Sequence, residues 1–211
     1  MIYELRTYTL VPGTQAKYIQ LSAEVGRKAR GDRYGKLEGH WYSEFGTLNQ
    51  AVHLWSYAGL DERDRLRAEL AKNEEWTKGY LPQTRGMIAA QENKILRAAV
   101  DITPPTDTGH VYELRWYRTQ VGKAPEWINH FKGILPLREK YTRRVGLWTS
   151  EIGSLNEVVH MWAYKSLDER AAQRARLAQE PEWQKFLGTA TPLLLQMQST
   201  ILNPSPHSPM R

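Results

Sequence analysis

Short stretches of alternating hydrophobic and polar residues run through the 211-residue chain, and longer stretches with helical spacing separate them. Alternation combined with β-branched and aromatic residues predicts strands, whereas apolar positions three and four apart predict helices. In the first half of the chain, the predicted strands cover residues 2–8, 40–45, 51–57 and 87–96, and the predicted helices cover residues 14–28 and 61–73. The resulting order, β-α-β-β-α-β, is the split βαβ unit of ferredoxin-like folds.

The second half of the chain repeats the first. Residues 3–8 recur as residues 112–117 with five matches in six positions, and 19 of the 34 residues in 43–76 are identical in 150–183. Such agreement predicts a duplicated module of about 100 residues. We place the two modules at residues 1–100 and 110–203, the linker at the proline-rich residues 101–109, and an irregular tail at residues 204–211.

One ferredoxin-like unit covers one face of its sheet with helices and leaves the other face bare. Two such units can cover each other's bare faces, which gives the duplication a physical purpose. The predicted fold class is therefore α+β, with two tandem ferredoxin-like modules forming a pseudo-twofold α+β barrel.

The predicted strand at 51–57 has two chemically different faces. One face is small or aliphatic and suits packing against helices, whereas His53, Trp55 and Tyr57 share the other face. The first strand neighbours this one in a ferredoxin-like sheet and can add Glu4 and Arg6 to the same face. Polar groups there need partners, which a ligand-sized cavity, water or a closed hydrogen-bond network between the two sheets would each supply. Of these, we expect the cavity. The second module repeats the set as Glu113, Arg115, His160, Trp162 and Tyr164.

Composition excludes several classes of protein. The chain has no cysteine, which removes disulfides, thiolate metal sites and cysteine nucleophiles. No apolar run reaches the ~18 residues of a membrane helix, and the N-terminus lacks a signal or transit pattern, so we expect a cytoplasmic protein with no membrane partner. The net charge is +6, and the one loose basic cluster, at residues 27–36, is interpreted as a solvated loop or helix face.

Several motifs together resemble the NIPSNAP family. In the second module they are Tyr112–Arg115, Gly153–Tyr164, Leu167–Arg170 and Glu182–Trp183, followed by the proline-rich residues 203–209, and the first module carries the same hallmark at Leu48–Tyr57. The resemblance covers nearly the whole chain and identifies it as a tandem-repeat bacterial member. It implies the dimeric α+β barrel superfold, which includes haem-handling enzymes, cofactor-free oxygenases and lactone isomerases. It implies no particular activity.

His53 and His160 are the candidate catalytic residues. A histidine in a pocket can act as a general base or bind haem iron, but it can also be hydrogen-bonded to a neighbouring strand and serve the structure alone. The Glu–Arg pairs of the first strands have two interpretations as well, as carboxylate-recognition or acid-base groups, or as ion pairs that close the barrel. No carboxylate or cysteine stands at ligand spacing from the histidines, so no metal site is expected.

Three functions are open on this reasoning. The first is the binding of a small hydrophobic or aromatic acidic molecule, with proton-transfer or cofactor-free oxygen chemistry at the histidines. No cofactor is expected, and haem is the one alternative. The second function is a non-catalytic assembly protein that forms a homo-oligomer through its outer faces. Nucleic-acid binding ranks last, because neither third strand carries the Gly-Phe-Gly-Phe type of signature found in RNA-binding sheets.

Overall fold

The computed structural model describes all 211 residues and divides them into two compact units. The first unit contains Met1–Leu96 and Leu202–Arg211, and the second contains Arg97–Ile201. Residues 101–110, between the fourth and fifth strands, hold no helix or strand. No helix is long and apolar enough to span a lipid bilayer.

The predicted order of elements is present twice. The strands are β1 (Ile2–Leu10), β2 (Lys36–Phe45), β3 (Gln50–Tyr57), β4 (Ile88–Val100), β5 (Val111–Thr119), β6 (Arg143–Ile152), β7 (Glu157–Tyr164) and β8 (Leu194–Pro204). The helices are α1 (Gln15–Leu21), α2 (Arg27–Arg30), α3 (Leu60–Leu70), α4 (Leu81–Thr84), α5 (Ala124–Glu139), α6 (Leu167–Leu177) and α7 (Pro181–Ala190).

The helical regions are more extensive and less regular than the pattern predicts. A π-helical turn, Ser22–Gly26, joins α1 to α2, and a second one, Glu75–Tyr80, leads into α4. The stretch Glu75–Thr84 and its counterpart α7 follow the predicted second helix of each module, and the sequence pattern predicts no helix there. These segments matter because they supply cavity walls.

Antiparallel pairing sets the register in each unit. In the first unit β1 lies between β3 and β4, so that Arg6 is opposite both His53 and Asn93. In the second unit β5 pairs with β7, and Arg115 is opposite His160. The eight strands follow the order β1-β3-β2-β8-β5-β7-β6-β4 in a closed barrel. The predicted fold class, two ferredoxin-like repeats that form an α+β barrel, is confirmed.

A glycine and a tryptophan pack tightly at an irregularity in the pairing of β2 with β3. The register shifts between Leu37 and Gly39, and the fully buried ring of Trp41 lies against Gly39. A Cβ added at Gly39 would stand 2.0 Å from Cη2 of Trp41. The second unit repeats this contact with Gly146 and Trp148. Both strands therefore need a residue without a side chain at this point.

Candidate functional site

Each unit holds a cavity between its sheet and its own helices. In the first unit the cavity has a volume of about 370 Å³, within the ordinary range for small-molecule sites. Arg6 and Tyr8 of β1 and His53 and Trp55 of β3 contribute from the sheet, and residues of the helical segments face them. The corresponding cavity of the second unit is smaller, about 240 Å³.

The sequence pattern places the cavity between the two sheets, and that placement is wrong. Trp55 and Tyr57 pack with Leu66 of α3, and the guanidinium of Arg30 in α2 stacks on the Trp55 ring. The polar and aromatic face of β3 therefore faces the helices of its own unit. Alternation along a strand separates its two faces, but it does not say which face the helices cover.

Glu4 is the centre of a buried ionic network beside the cavity. Its carboxylate accepts hydrogen bonds from Arg63 Nη2 (2.6 Å), Asn93 Nδ2 (2.8 Å), Arg6 Nη1 (2.9 Å) and the Tyr57 hydroxyl (3.3 Å). Burial alone would raise the pKa of Glu4, but the Arg63 hydrogen bond and the charges of Arg6 and Arg63 outweigh it and lower the pKa to about 2. A carboxylate that stays ionised and fully bonded is suited to holding the arginines in place.

Arg30 carries a buried charge into the cavity wall. Its residue surface is 4% exposed, although the basic cluster to which it belongs is predicted to be solvated, so that interpretation is wrong for Arg30. The guanidinium carbon lies 3.3 Å from the centroid of the Trp55 ring, and Nη2 donates to the Tyr57 hydroxyl at 2.8 Å. Burial lowers the pKa of Arg30 to about 10, which leaves the side chain charged at neutral pH.

The hydrogen bonding of His53 defines its chemistry. Nε1 of Trp55 donates to Nδ1 of His53 at 2.6 Å. Burial, together with the nearby His40 and Arg6, holds the pKa of His53 well below its usual value, so the ring is neutral. Because an indole N–H can only donate, Nδ1 carries no proton and Nε2 must carry it. His53 Nε2 is buried, has no hydrogen-bond acceptor, and is therefore an unused donor on a residue that lines the cavity.

This bonding does not suit the other roles predicted for the histidines. A general base or a haem ligand needs a free lone pair on the imidazole, and the indole N–H occupies the one lone pair that His53 has. His160 is in the same condition, because Nε1 of Trp162 donates to its Nδ1 at 2.6 Å and its Nε2 has no acceptor. Both residues are arranged as hydrogen-bond donors.

Segment 203–211 returns to the first unit and adds a third histidine to its cavity. His207 of this segment lines the cavity, and its ring centroid is 4.4 Å from that of His40 in β2. The His40 ring in turn stacks on His53, with centroids 5.3 Å apart. The first cavity thus has a histidine cluster, His40, His53 and His207.

Cations line the first cavity, and no acidic side chain does. Arg6 and Arg27 each have a carboxylate partner outside the lining, Glu4 at 2.9 Å and Asp32 at 2.8 Å. The side chain of Arg67 in α3 makes no hydrogen bond and no ion pair. The cavity therefore offers an unused guanidinium and a net positive charge to anything that enters it.

The second unit repeats the ionic network but has a more aromatic cavity. Glu113 accepts hydrogen bonds from Arg170 (2.6 Å), Ser199 (2.7 Å) and Arg115 (2.8 Å), and although burial acts to raise its pKa, these partners lower it to about 2. The aromatic rings that fill much of this cavity are Trp127, Phe131, Trp162, Trp183 and Phe186.

The structure places the predicted site residues in two groups. Arg6, His53 and Trp55 line the first cavity, and Arg115, His160 and Trp162 line the second. The others, Glu4, Tyr57, Glu113 and Tyr164, lie outside those linings and hydrogen-bond to one another or to the lining arginines.

Among the lining residues of the first cavity that the sequence did not predict are Arg30, His40, Arg67 and His207. The repeat could have indicated Arg67 as a site residue, because Arg67 recurs as Arg174 within the duplicated stretch. The repeat could not indicate His40 or His207, since the equivalent of His40 is Leu147 and His207 is distant in sequence from the rest of the site.

Comparison with known proteins agrees with the repeat. A model of the NIPSNAP family matches residues 3–101 and again residues 112–209. NipSnap homolog 3A of Homo sapiens is 30% identical to this chain over 216 residues, which cover 100% of this chain and 86% of the relative. NipSnap homolog 1 of Danio rerio is 29% identical over 214 residues, covering 100% of this chain and 77% of the relative.

A solved structure of more distant sequence has the same fold. It comes from Lactobacillus acidophilus NCFM and is described provisionally as a monooxygenase. It is 11% identical, with a TM-score of 0.69, and the match covers 96% of this chain and 92% of that chain. At this identity the likeness concerns the fold alone.

Proposed function

The chain belongs to the NIPSNAP family, and from its first unit we propose that it binds a small molecule with a hydrophobic or aromatic body and an acidic group. The binding site is the cavity between the sheet and the helices of that unit. The observation that carries the proposal is a lining with four arginines and no acidic residue, in which Arg67 has no partner.

The acidic group of the ligand meets the guanidinium of Arg67. An unpartnered cation in a partly enclosed site gains a charge-assisted hydrogen bond when a carboxylate enters, and the guanidinium fork fits a carboxylate well. Arg6 also lines the cavity, but its charge is balanced by the Glu4 carboxylate at 2.9 Å.

The body of the ligand packs against apolar side chains of the same cavity. Trp55, Trp76, Leu37 and Leu70 line the cavity and offer flat and aliphatic surfaces. Burying the apolar part of a ligand there contributes roughly 25 cal/mol per Å² of surface removed from water. This supports an aromatic or aliphatic acid over a highly hydroxylated one.

His53 takes part as a hydrogen-bond donor. Its Nδ1 accepts from Trp55 and its buried Nε2–H has no acceptor, so a small shift of the ring or its neighbours would let it donate to an oxygen of the ligand without exchanging a proton. The proposal is therefore binding, with no acid-base step assigned to His53.

The test compares an acid with its amide in isothermal titration calorimetry. The probes are 3-phenylpropionate and 3-phenylpropanamide, which share the aromatic body and differ in charge. We expect the acid to bind and the amide to bind at least about tenfold more weakly, because a charge-assisted hydrogen bond contributes about 1.5–3 kcal/mol. Arg67→Gln should weaken the binding of the acid by about tenfold and leave the binding of the amide unchanged.

Two variants serve as controls. Arg65→Gln removes an exposed arginine of the same helix, which pairs with Glu69, and should have no effect on binding. Arg174→Gln makes the equivalent change in the second unit and should leave the affinity of the first cavity intact. Equal affinities for acid and amide, or an unaltered acid affinity in Arg67→Gln, would contradict the proposal.

A further inference from the structure

We propose that the cavity of the second unit is a separate binding site, and that it takes a compact aromatic acid with a single ring. The proposal concerns residues of Arg97–Ile201 alone. It therefore goes beyond the function proposed for the first unit and stands or falls without it. Two features carry it, namely cationic side chains without enough carboxylate partners and walls made largely of aromatic rings.

The charged side chains that line the second cavity are all positive. They belong to Arg115, Arg138 and Arg174, and no acidic residue is among the lining residues. The charge of Arg115 is balanced by the Glu113 carboxylate at 2.8 Å. The side chain of Arg174 in α6 makes no hydrogen bond and no ion pair, and it is partly exposed. Arg174 is therefore placed to meet an anion that enters the cavity from solvent.

A second uncompensated charge, Arg138 of α5, is buried in the wall. Its guanidinium carbon lies 4.1 Å from the centroid of the Trp162 ring, and its nitrogens donate to the hydroxyls of Thr142 at 2.6 Å and Tyr164 at 3.0 Å. All three partners are neutral, so no carboxylate balances the charge of Arg138. A carboxylate bound in the cavity would supply that balance to both Arg138 and Arg174.

The surroundings of Arg174 support this placement of the anion. Partial burial and the charge of Arg115 lower the pKa of Arg174, although Glu113 acts in the opposite direction. A lowered pKa means that the surroundings disfavour the positive charge. An anion beside Arg174 would remove this penalty, and the guanidinium fork would bind it with two hydrogen bonds.

Aromatic rings form much of the remaining wall. Trp127 and Phe131 of α5 stack with their centroids 4.6 Å apart, and the rings of Trp183 and Phe186 in α7 are 5.0 Å apart. Trp183 and Phe186 line the cavity and are only half-buried, so they have apolar surface left for a ligand. An aromatic ligand gains edge-to-face or offset-stacked contacts with such rings beyond the area that it buries.

The size and composition of the second cavity limit the ligand further. Its volume of about 240 Å³ is below the range of sites for drug-sized molecules, which favours a single ring. Phe186 stands where the first unit has Gly79. Two hydroxyl-bearing residues, Tyr117 and Thr191, line the second cavity, whereas six line the first. The second cavity is thus the less polar one and fits a ring without polar substituents.

The experiment titrates the full chain with three probes by isothermal titration calorimetry. It uses Arg67→Gln, in which the first cavity has lost its unpaired cation. The probes are benzoate, benzamide, which keeps the ring without the charge, and cyclohexanecarboxylate, which keeps the charge without the aromatic ring. We expect benzoate to bind and benzamide to bind at least about tenfold more weakly. Cyclohexanecarboxylate should bind about two- to tenfold more weakly than benzoate.

Variants made in addition to Arg67→Gln assign the binding to the second cavity. Arg174→Gln should weaken the binding of benzoate by about tenfold and leave that of benzamide unchanged. The matched control is Arg176→Gln on the same helix, where Arg176 lies over the Tyr141 ring outside the cavity, and it should have no effect. Phe186→Leu should reduce the advantage of benzoate over cyclohexanecarboxylate. A urea unfolding transition like that of Arg67→Gln shows in each case that the variant has folded.

The outcomes distinguish this proposal from the proposed function. The second site is overturned if benzoate does not bind to Arg67→Gln, or if adding Arg174→Gln leaves its affinity unaltered. Equal affinities for benzoate and cyclohexanecarboxylate would overturn the aromatic class of the ligand. The proposed function is judged separately, by the binding of 3-phenylpropionate to Arg174→Gln with and without Arg67→Gln.

Discussion

Replacing Glu4 with glutamine tests the ionic network on which the first cavity depends. The substitution keeps the size of the side chain and one carbonyl acceptor, and it removes the negative charge between Arg6 and Arg63. Both arginines donate to Glu4 at 2.9 Å or less in a site that water does not reach. The variant therefore leaves the Arg6 guanidinium without a carboxylate partner and Arg63 with Asp64 alone, which is unfavourable.

The size of the effect follows from the pKa of Glu4. It is lowered from 4.5 to about 2, a difference of roughly 2.5 pH units, and each unit corresponds to about 1.4 kcal/mol. The ionised form thus contributes on the order of 3 kcal/mol to the free energy of unfolding at neutral pH. Because the pKa is lower in the folded state, this contribution is complete above pH 4.5 and is lost as the pH falls toward 2.

The assay is urea unfolding of the wild type and Glu4→Gln at pH 7 and pH 3. We expect the variant to be less stable by about 3 kcal/mol at pH 7. At pH 3 the difference should shrink to about 1 kcal/mol, since only one pH unit then separates the solution from the pKa of Glu4 in the folded state. Glu113 titrates in the same range, but it is present in both proteins, so its contribution to the pH dependence of stability cancels in the comparison.

A matched control is Glu69→Gln, which removes one partner of an exposed ion pair with Arg65. Its effect should stay within about 0.5 kcal/mol at both pH values. The role of Glu4 is refuted if Glu4→Gln lowers the free energy of unfolding at pH 7 no more than this control does. It is refuted as well if the variant is destabilised equally at pH 3 and at pH 7.

Two further predictions concern the backbone of the sheets. Gly39→Ala should lower the free energy of unfolding by about 1–3 kcal/mol, because the added Cβ would stand 2.0 Å from the buried Trp41 ring. Gly188→Ala, in open space on α7, should raise it by up to about 1 kcal/mol. Equal effects of the two substitutions in thermal denaturation would contradict this prediction. Asn156 has a φ of 58° and its side-chain oxygen accepts a backbone N–H at 2.9 Å, whereas Asn49 has a φ of 55° without such a bond. Asn156→Ala should therefore cost about 1 kcal/mol more than Asn49→Ala in urea unfolding, and similar losses would show that the hydrogen bond contributes nothing.

The repeat and the alternation of residues were enough to predict the architecture. A duplicated stretch with 19 identities in 34 positions cannot adopt two different folds at low cost, so the order of elements found in one half applies to both. The pairing of β1 with β3 followed as well, because the first and third strands are neighbours in a ferredoxin-like sheet. The grouping of Glu4, Arg6, His53, Trp55 and Tyr57 was therefore available from local pattern alone.

The side of the sheet on which these residues act was decided by tertiary structure. A period of two residues distinguishes two faces, but the identity of the covering layer depends on which helices pack there. Arg30 belongs to a short helix after a π-helical turn, and its sequence context is that of a solvated basic stretch. Only the packed structure shows that its guanidinium lies on Trp55 and is buried.

The difference between the two cavities is only partly visible in the sequence. The repeats share a histidine, a tryptophan and an arginine, but residues 30–38 of the first repeat differ from residues 135–138 of the second, which argues against two equivalent sites. His207 reaches the first cavity because buried hydrogen bonds of Ser205 and Ser208 tie a distant segment to His40. Local sequence determines which elements form, because it sets backbone preference and the period of burial. Contacts between residues more than 160 positions apart determine the chemistry of the site, because they depend on where the whole chain runs.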